Sequence, residues 1–247
     1  AGDAQSFRYR RSSIRHGEWH HVVNAAAAGY HRPARRRNEK NVTQNNENVE
    51  LLRAEIVSIG TEILLGSLTD TNASWLAGQL PGLGVGNYRV TAVGDNIERL
   101  KAVIREASDR ADLVVLTGGL GPTEDDVTRE AIAAVLGEEM TVVPELESQL
   151  REFFSRRGVG MPERNIKQAT LIPSAQALLN PRGTAPGWWV LRNGSVIVAM
   201  PGVPREMFQM WENEVTPRLA RLMADRNAVI RSKTVKTFGM SEALVDE

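Results

Sequence analysis

The chain has 247 residues and a formal net charge of zero, with 42% hydrophobic and 24% charged residues. This balance is typical of a globular protein with a buried core, and it gives no sign of a nucleic-acid or anionic-membrane partner. The absence of cysteine excludes disulfides, thiolate metal sites and a cysteine nucleophile. No apolar run approaches the roughly 20 residues of a membrane span. We therefore expect a cytoplasmic protein without membrane or nucleic-acid partners.

The first 50 residues show neither helical nor strand periodicity and are rich in Arg and Asn, which predicts a disordered basic leader. This segment is interpreted as a non-native or upstream-translated leader, with a transit peptide as the alternative because it is Arg-rich and poor in acids. The chain begins at Ala1 rather than Met, which is interpreted as the sign of a fragment or a processed product. All four histidines lie within it. Chemistry in the remaining chain is therefore expected to use carboxylates, hydroxyls, Lys, Arg, backbone amides and a hard metal ion.

From Leu51 onward, strand patterns alternate with helical ones. In chain order, the predicted elements are a strand over 54–60, a helix over 72–80, a strand over 88–95, a helix over 96–111, a strand over 112–119, a helix over 126–137, a helical region over 144–168, a hairpin turning at Asn193–Gly194 and a helix over 204–223. This order predicts βαβ units and a parallel sheet that helices cover on both faces. The domain is expected to span 51–226, and 227–247 to begin a second domain.

The segment TGGLGPTEDDVTRE, residues 117–130, follows a predicted strand and leads into a predicted helix. Gly118, Gly119 and Gly121 permit unusual dihedral angles and close approach of a ligand to the backbone. The helix that follows offers unpaired amides and a positive dipole end, which together suit a phosphate group. Thr123 adds a hydroxyl donor. The segment therefore predicts a phosphate-binding turn at the carboxyl edge of the sheet.

Three acids, Glu124, Asp125 and Asp126, complicate this prediction because carboxylates repel phosphate unless a cation lies between them. A Mg²⁺-type ion takes carboxylate and phosphate oxygens together, so the turn favours a metal-bound phosphate ester or diphosphate. The alternative for any single acid is that it caps the helix.

Other polar segments are expected at the same edge. Thr61 and Glu62 follow the first strand, and Asp95 follows the second, although Asp95 is equally well explained as a helix cap. Lys167 is a candidate phosphate ligand. Two turn-rich loops, around Gly183–Thr184 and Pro201–Gly202, are candidate pocket walls, although such loops are more often plain turns.

Five motifs in order make the chain closely resemble the CinA family of competence/damage-inducible proteins: GTEILLGSLTDTN, TGGLGPTEDDVT, NIKQA, NPRGTAPG and MPGVPREM. The N-terminal domain of that family belongs to the molybdopterin-binding, MoaB/MogA-like superfamily. The resemblance runs from about Leu52 to Met223, with a weaker tail to Glu247. It implies a three-layer α/β/α domain with a mainly parallel sheet, and a homo-oligomer. Residues 1–50 have no counterpart in the family pattern.

The resemblance further implies ADP-ribose pyrophosphatase activity that depends on a divalent metal ion (Mg²⁺, Mn²⁺ or Co²⁺) and yields AMP and ribose 5-phosphate. The superfamily aspartate falls on Asp126, which is expected to bind the metal and activate the diphosphate with support from Asp125. Phosphate or nucleotide contacts are expected from Gly118, Gly119, Gly121, Thr123, Thr61, Glu62, Asp95, Lys167, Gly183, Thr184, Pro201 and Gly202. Two alternatives stay open: a molybdopterin adenylyltransferase or related cofactor-synthesis protein, and a non-catalytic module that binds a nucleotide or pterin.

Overall fold

The computed structural model describes residues 8–13, 19–24, 53–192, 194–223 and 233–235, which belong to two compact units. The smaller unit is a three-stranded antiparallel sheet in the order β1-β2-β11, formed by Arg8–Ser13 (β1), Trp19–Asn24 (β2) and Lys233–Val235 (β11). Strands β1 and β2 differ from the predicted disorder of the leader. The pairing of β2 with β11 is non-local, so no short-range sequence pattern signals it. The rest of the leader and of the tail lies outside the described residues.

The larger unit is built on a six-stranded sheet in the order β4-β3-β5-β10-β9-β8. Strands β4, β3, β5 and β10 run parallel to one another, and β9 runs antiparallel to both of its neighbours, β10 and β8. The prediction of a mainly parallel sheet is therefore confirmed. The strands are Arg53–Ile59 (β3), Gly86–Val93 (β4), Leu113–Thr117 (β5), Ala175–Leu178 (β8), Gly187–Arg192 (β9) and Ser195–Met200 (β10), and a separate two-stranded sheet joins Thr141–Val142 (β6) to Thr170–Leu171 (β7).

Helices cover both faces of this sheet, as a three-layer α/β/α domain requires. On one face Leu76 and Trp211 pack against Ile56, and on the other Leu100 and Ile132 pack with Val57. The helices are Thr61–Leu64 (α1), Thr71–Gln79 (α2), Ile97–Arg110 (α3), Thr128–Leu136 (α4), Pro144–Ser155 (α5), Pro204–Met210 (α6) and Thr216–Leu222 (α7), with 3₁₀ turns at Leu80–Leu83 and Glu163–Ala169 and a π-helical turn at Trp211–Val215 that joins α6 to α7.

The central strands are buried on both faces, which explains their uninterrupted apolar sequences. Every residue of β5 and β10 is buried, whereas the edge strand β4 exposes three consecutive residues in its middle. The hairpin prediction is confirmed: β9 and β10 pair antiparallel with Arg192 opposite Ser195, and Gly194 has a φ of 76° in the connecting turn.

The predicted helical region over 144–168 is wrong in its middle. Helix α5 ends at Ser155, and the chain becomes helical again only in the 3₁₀ turn at Glu163–Ala169. Gly158 has a φ of 69°, which breaks the helix, and Pro162 immediately precedes the 3₁₀ turn. None of the helices in the described parts of the chain is both long and apolar enough to cross a membrane.

Candidate functional site

The candidate site lies where the parallel strands β4, β3, β5 and β10 end, because parallel strands bring their carboxyl ends to one edge of a sheet. Backbone hydrogen bonds join the loops that follow them. The amide of Gly60 donates to the carbonyl of Val93 at 3.0 Å, and the amide of Gly118 donates to the carbonyl of Met200 at 3.0 Å. The structure thus brings together the predicted segments at Thr61, Asp95, the TGG turn and Pro201–Gly202.

Two glycines of the TGG turn have backbone conformations that other residues rarely adopt. Gly118 has a φ of 107° and Gly119 a φ of 65°. A side chain on Gly118 would overlap the carbonyl oxygen of Ile59, and one on Gly119 would overlap the hydroxyl of Thr128. A Cβ on Gly202 would lie 3.3 Å from the Cα of Gly118. The absence of side chains therefore allows the turns after β5 and β10 to touch.

The carbonyls of Gly118 and Gly119 accept hydrogen bonds within the protein, but most amides of this turn have no protein acceptor. Thr128 donates from its hydroxyl to the carbonyl of Gly118 at 2.9 Å and from its amide to that of Gly119 at 3.2 Å. The amide of Gly118 is used by Met200, so the expectation that it contacts phosphate is not met in this conformation. The amides of Gly119 and Gly121 donate to no other residue within the described chain. Gly119 and Gly121 are both partly exposed, so these two amides are available to an anion.

Asp126 is held by a residue within its own turn. Its Oδ2 accepts hydrogen bonds from the Thr123 amide at 2.9 Å and the Thr123 hydroxyl at 2.5 Å, and its carboxylate fills the space next to Gly121. Its Oδ1 accepts none from the residues described. Helix α4 begins after Val127 without any side-chain cap, so the alternative that one of the acids caps this helix is wrong.

Lys167 lies at this turn, but its contacts are with protein groups. Its ammonium group donates to the carbonyls of Thr123 and Asp126, both at 2.8 Å, and lies 3.1 Å from the carboxylate of Glu130. An ammonium group has three hydrogens, so these acceptors use its full donor capacity. Lys167 therefore fixes the backbone of residues 123–126, called here the acidic turn, and is not a free cation.

Arg129 is a residue that the sequence analysis missed. It is 1% exposed, and its Nη2 donates to the carbonyl of Leu120 at 2.8 Å, while its Nε and Nη1 have no partner among the described residues. Burial lowers the pKa of the Arg129 guanidinium to about 10, against the opposing effect of the negative charges of Glu130 and Asp126. A buried cation therefore lies beneath the acidic turn. An arginine in an amphipathic helix is normally exposed, so no local pattern signals the burial of Arg129.

Gln168 also contacts the turn and was also missed. Its Nε2 donates to the carbonyl of Leu120 at 3.3 Å, and its Oε1 accepts from Asn165 at 2.9 Å. Both side chains are buried. Their spacing in the NIKQA motif could have pointed to them, since Lys167 of the same motif was singled out. The 3₁₀ turn at Glu163–Ala169 thus supports the acidic turn from one side.

Thr61 and Asp95 form a second Thr–Asp pair at the same edge. The Asp95 Oδ2 accepts from the Thr61 amide at 2.8 Å and from the Thr61 hydroxyl at 2.9 Å. The alternative that Asp95 caps α3 is wrong, since the cap is Asn96, whose side chain accepts from the amide of Arg99 at 3.1 Å. The carboxylate of Glu62 lies over Gly60, in the space that a side chain there would need.

Asn72 links three parts of the edge. From the first turn of α2, its Nδ2 donates to the Thr117 hydroxyl oxygen at 3.0 Å and to the carbonyl of Gly202 at 2.8 Å. The Thr117 hydroxyl in turn lies 3.3 Å from the carbonyl of Pro201. Asn72 therefore joins the TGG turn to the Pro201–Gly202 turn.

Gly183 and Thr184 belong to a loop, residues 179–186, that the structure holds against α6. Asn180 organises this loop: its side chain accepts from the Gly183 amide at 3.0 Å and donates to Glu206 of α6 at 2.7 Å. No described contact joins Gly183 or Thr184 to Asp126, so the structure does not place them in the acidic turn itself.

The chain is similar to known proteins over most of the larger unit. Residues 55–221 match a family described as the probable molybdopterin binding domain. The CinA-like protein of Thermomicrobium roseum is 52% identical over 194 residues, which cover 78% of this chain and 47% of that protein. The CinA-like protein of Deinococcus radiodurans is 50% identical over 201 residues, which cover 80% of this chain and 49% of that protein. The chain thus spans about half the length of the curated relatives it matches.

A solved structure agrees with these sequence comparisons. CinA from Thermoplasma acidophilum, described as a protein of unknown function, matches with a TM-score of 0.64 and 30% identity. The match covers 69% of this chain and 99% of that one. A family match over more than half of the chain, together with these identities, shows that the chain belongs to the CinA family and holds its probable molybdopterin-binding domain.

Proposed function

We propose that this chain hydrolyses a nucleoside diphosphate sugar, with ADP-ribose as the substrate and AMP and ribose 5-phosphate as the products. The observation that supports this most directly is the combination at one turn of a positioned carboxylate, Asp126, with the unpartnered amides of Gly119 and Gly121. Amides of this kind bind phosphate oxygens, and the carboxylate suits a hard cation.

Two further sources of positive potential favour a diphosphate at this turn. Helix α4 begins immediately after it, so the positive end of the helix dipole faces the same region. The guanidinium of Arg129 lies beneath the turn and is buried, which makes its field less screened than that of an exposed arginine. Both effects offset the repulsion between a diphosphate and the three acids of the turn.

The residues present fit a divalent cation that is shared with the substrate. Asp126 Oδ1 accepts no hydrogen bond from the residues described, and Asp125 is exposed beside it. No group of three His, Cys, Asp or Glu side chains in the described residues forms a complete cage. The two carboxylates of Asp126 and Asp125 are appropriate to Mg²⁺, which is often held by one or two carboxylates and takes its other ligands from substrate phosphates and water. Such an ion, held by Asp126 and Asp125, would neutralise charge on the diphosphate oxygens.

The chain's own groups then have separate tasks in the hydrolysis. The amides of Gly119 and Gly121 orient the phosphate, while Thr123 and Lys167 fix the side chain and the carbonyl of Asp126. Since no histidine lies in the described part of this edge, a carboxylate is left to accept the proton of the attacking water. Water forms a bond to one phosphorus atom, and the bond from that atom to the bridging oxygen breaks.

A pterin ligand is the second candidate, because the matched family is described as probably binding molybdopterin. The same amides would then hold the phosphate of the pterin, and the chain would act in cofactor synthesis or as a binding module.

The decisive experiment is AMP release from ADP-ribose by the whole chain, with Mg²⁺, Mn²⁺ or Co²⁺ added in turn and EDTA as the control. AMP release that EDTA abolishes is the expected result. A folded chain that releases no AMP with any of these ions contradicts the proposal, and pterin binding measured by calorimetry would then support the second candidate.

A further inference from the structure

A small cavity of about 90 Å³ lies between α5 and the loop 179–186. Its walls are largely apolar: Leu146, Leu150 and Phe153 line it from α5, and Leu179 and Pro186 line it from the loop. Leu179 is 54% exposed, so the rim carries apolar surface that the described protein leaves open to solvent. Sites for whole ligands usually measure about 300–1,000 Å³, so this cavity suits one ring system of a larger ligand.

The aromatic ring in the cavity wall is held in place by its neighbours. Phe153 packs edge-to-face against Phe154, with ring centroids 5.9 Å apart and an interplanar angle of 77°. The guanidinium of Arg157 lies 3.5 Å from the centroid of the Phe153 ring. These contacts restrict the ring, so a planar ligand would lose little to the ordering of Phe153 on binding.

Two polar side chains at this cavity are available to a ligand. Gln149 is exposed and Thr184 is half-buried, and neither makes a hydrogen bond to any described residue. The side chain of Asn180, by contrast, is fully used within the loop and by Glu206. A cavity with apolar walls and a few free polar groups has the character of a site for a flat heterocycle, whose faces are apolar and whose edges form hydrogen bonds.

Both walls of the cavity are connected, through hydrogen bonds or along the chain, to segments that contact the TGG turn or the acidic turn. The loop is hydrogen-bonded through Asn180 to Glu206 in the first turn of α6, and α6 follows the Pro201–Gly202 turn that contacts Gly118. The other wall, α5, is followed in sequence by the 3₁₀ turn that carries Lys167 to Thr123 and Asp126. Both cavity walls therefore belong to segments that continue into contacts with the TGG turn or with Thr123 and Asp126.

We propose that this cavity is the nucleobase subsite of the substrate, with the purine ring against Phe153 and its polar edge near Gln149 and Thr184. This inference rests on the proposed function and specifies which part of the substrate determines its recognition. A more open hollow of about 400 Å³ at the other end of α5, lined by Arg151, Ser155 and Gly158, shares no residue with the loop or with the acidic turn.

Calorimetric binding of AMP and of ribose 5-phosphate to the whole chain tests the proposal without turnover. The two ligands share a phosphorylated ribose, and only AMP carries the base. Phe153→Leu is expected to weaken AMP binding by about 5- to 150-fold, the range for loss of one base–aromatic stack. Ribose 5-phosphate binding is expected to stay unchanged. Ser148→Ala, at an exposed position of α5 that does not line the cavity, is the control and is expected to leave both affinities unchanged.

A second variant covers the case in which Phe153→Leu fails to fold. Gln149 is exposed, so Gln149→Ala is expected to fold and to weaken AMP binding by about 2- to 10-fold, as loss of one hydrogen bond would. AMP that binds no more tightly than ribose 5-phosphate, or that is insensitive to these changes, overturns the subsite even if ADP-ribose is hydrolysed. Base-dependent AMP binding in a chain that releases no AMP supports the subsite and rejects the hydrolysis.

Discussion

Two Thr–Asp pairs at the carboxyl edge of the sheet share two hydrogen bonds and have different surroundings. In each pair the threonine donates both its amide and its hydroxyl to the aspartate Oδ2, from Thr61 to Asp95 and from Thr123 to Asp126. The first pair joins residues 34 positions apart and so ties the loop after β3 to the loop after β4. The second joins residues three positions apart within one turn.

The hydrogen-bonded pair alone therefore does not distinguish the proposed reaction site. Around Asp126 lie the unpartnered amides of Gly119 and Gly121, a lysine that fixes its carbonyl and a buried arginine. No comparable cation or glycine turn is hydrogen-bonded to Asp95 within the described chain. We therefore propose that Asp126 carries the chemistry and that Asp95 joins two loops, and three substitutions test that division.

The largest effect is expected from Asp126→Asn. Asparagine keeps an oxygen that can accept from Thr123, so the turn should persist, but the negative charge needed for a cation is lost. We expect the rate of AMP release from ADP-ribose to fall by about 100- to 1,000-fold, with the melting temperature close to that of the wild type. Turnover within tenfold of the wild type would contradict the assignment of chemistry to this residue.

A smaller loss is expected from Lys167→Met, which removes the clamp on the backbone of the turn. Outer groups that orient a metal-binding side chain typically contribute about 10- to 100-fold, and we expect a fall of this size in kcat with little change in KM. Arg164→Met is the control, since Arg164 is exposed in the same 3₁₀ turn and makes no described hydrogen bond. A rise in KM at constant kcat would instead make Lys167 a phosphate ligand, as the sequence predicted.

The smallest effect is expected from Asp95→Asn. The Thr61–Asp95 pair is solvent-accessible, so weakening it should cost about 0.5–1.5 kcal/mol of unfolding free energy, measured by urea denaturation. AMP release should stay within a few-fold of the wild type. If Asp95→Asn reduced turnover as much as Asp126→Asn, the two pairs would be functionally equivalent and the proposed division of roles would be wrong.

Much of the fold could be predicted because its signals are local. The apolar runs of β3, β5 and β10, the amphipathic pattern of α3 and the Asn193–Gly194 turn all specify their elements within a few residues. The three-layer arrangement and the family were confirmed. Helix α1 and strand β8 were missed because each has only four residues, too few to establish a period.

The candidate site was predicted in its location more than in its contacts. One edge of the sheet does hold the TGG turn, Thr61, Asp95 and Pro201–Gly202, because the strands that precede them are parallel. Lys167 donates to carbonyls 44 and 41 positions away along the chain, and the pattern of α4 does not show that Arg129 is buried. The engagement of the Gly118 amide by Met200 depends on the pairing of β5 with β10. Such contacts have no local signature in the sequence.

The contact between Gly118 and Gly202 restricts how the two turns can vary among related sequences. Gly202 has no left-handed backbone, so only the space beside Gly118 limits it, and a Cβ there would need a shift of a few tenths of an ångström. Gly118 is barred from any side chain by its own φ and by the Ile59 carbonyl. A small side chain is therefore tolerated at position 202 but not at position 118. Alanine at position 202 requires the TGG turn to recede slightly, whereas no change at position 202 makes room for a side chain at position 118.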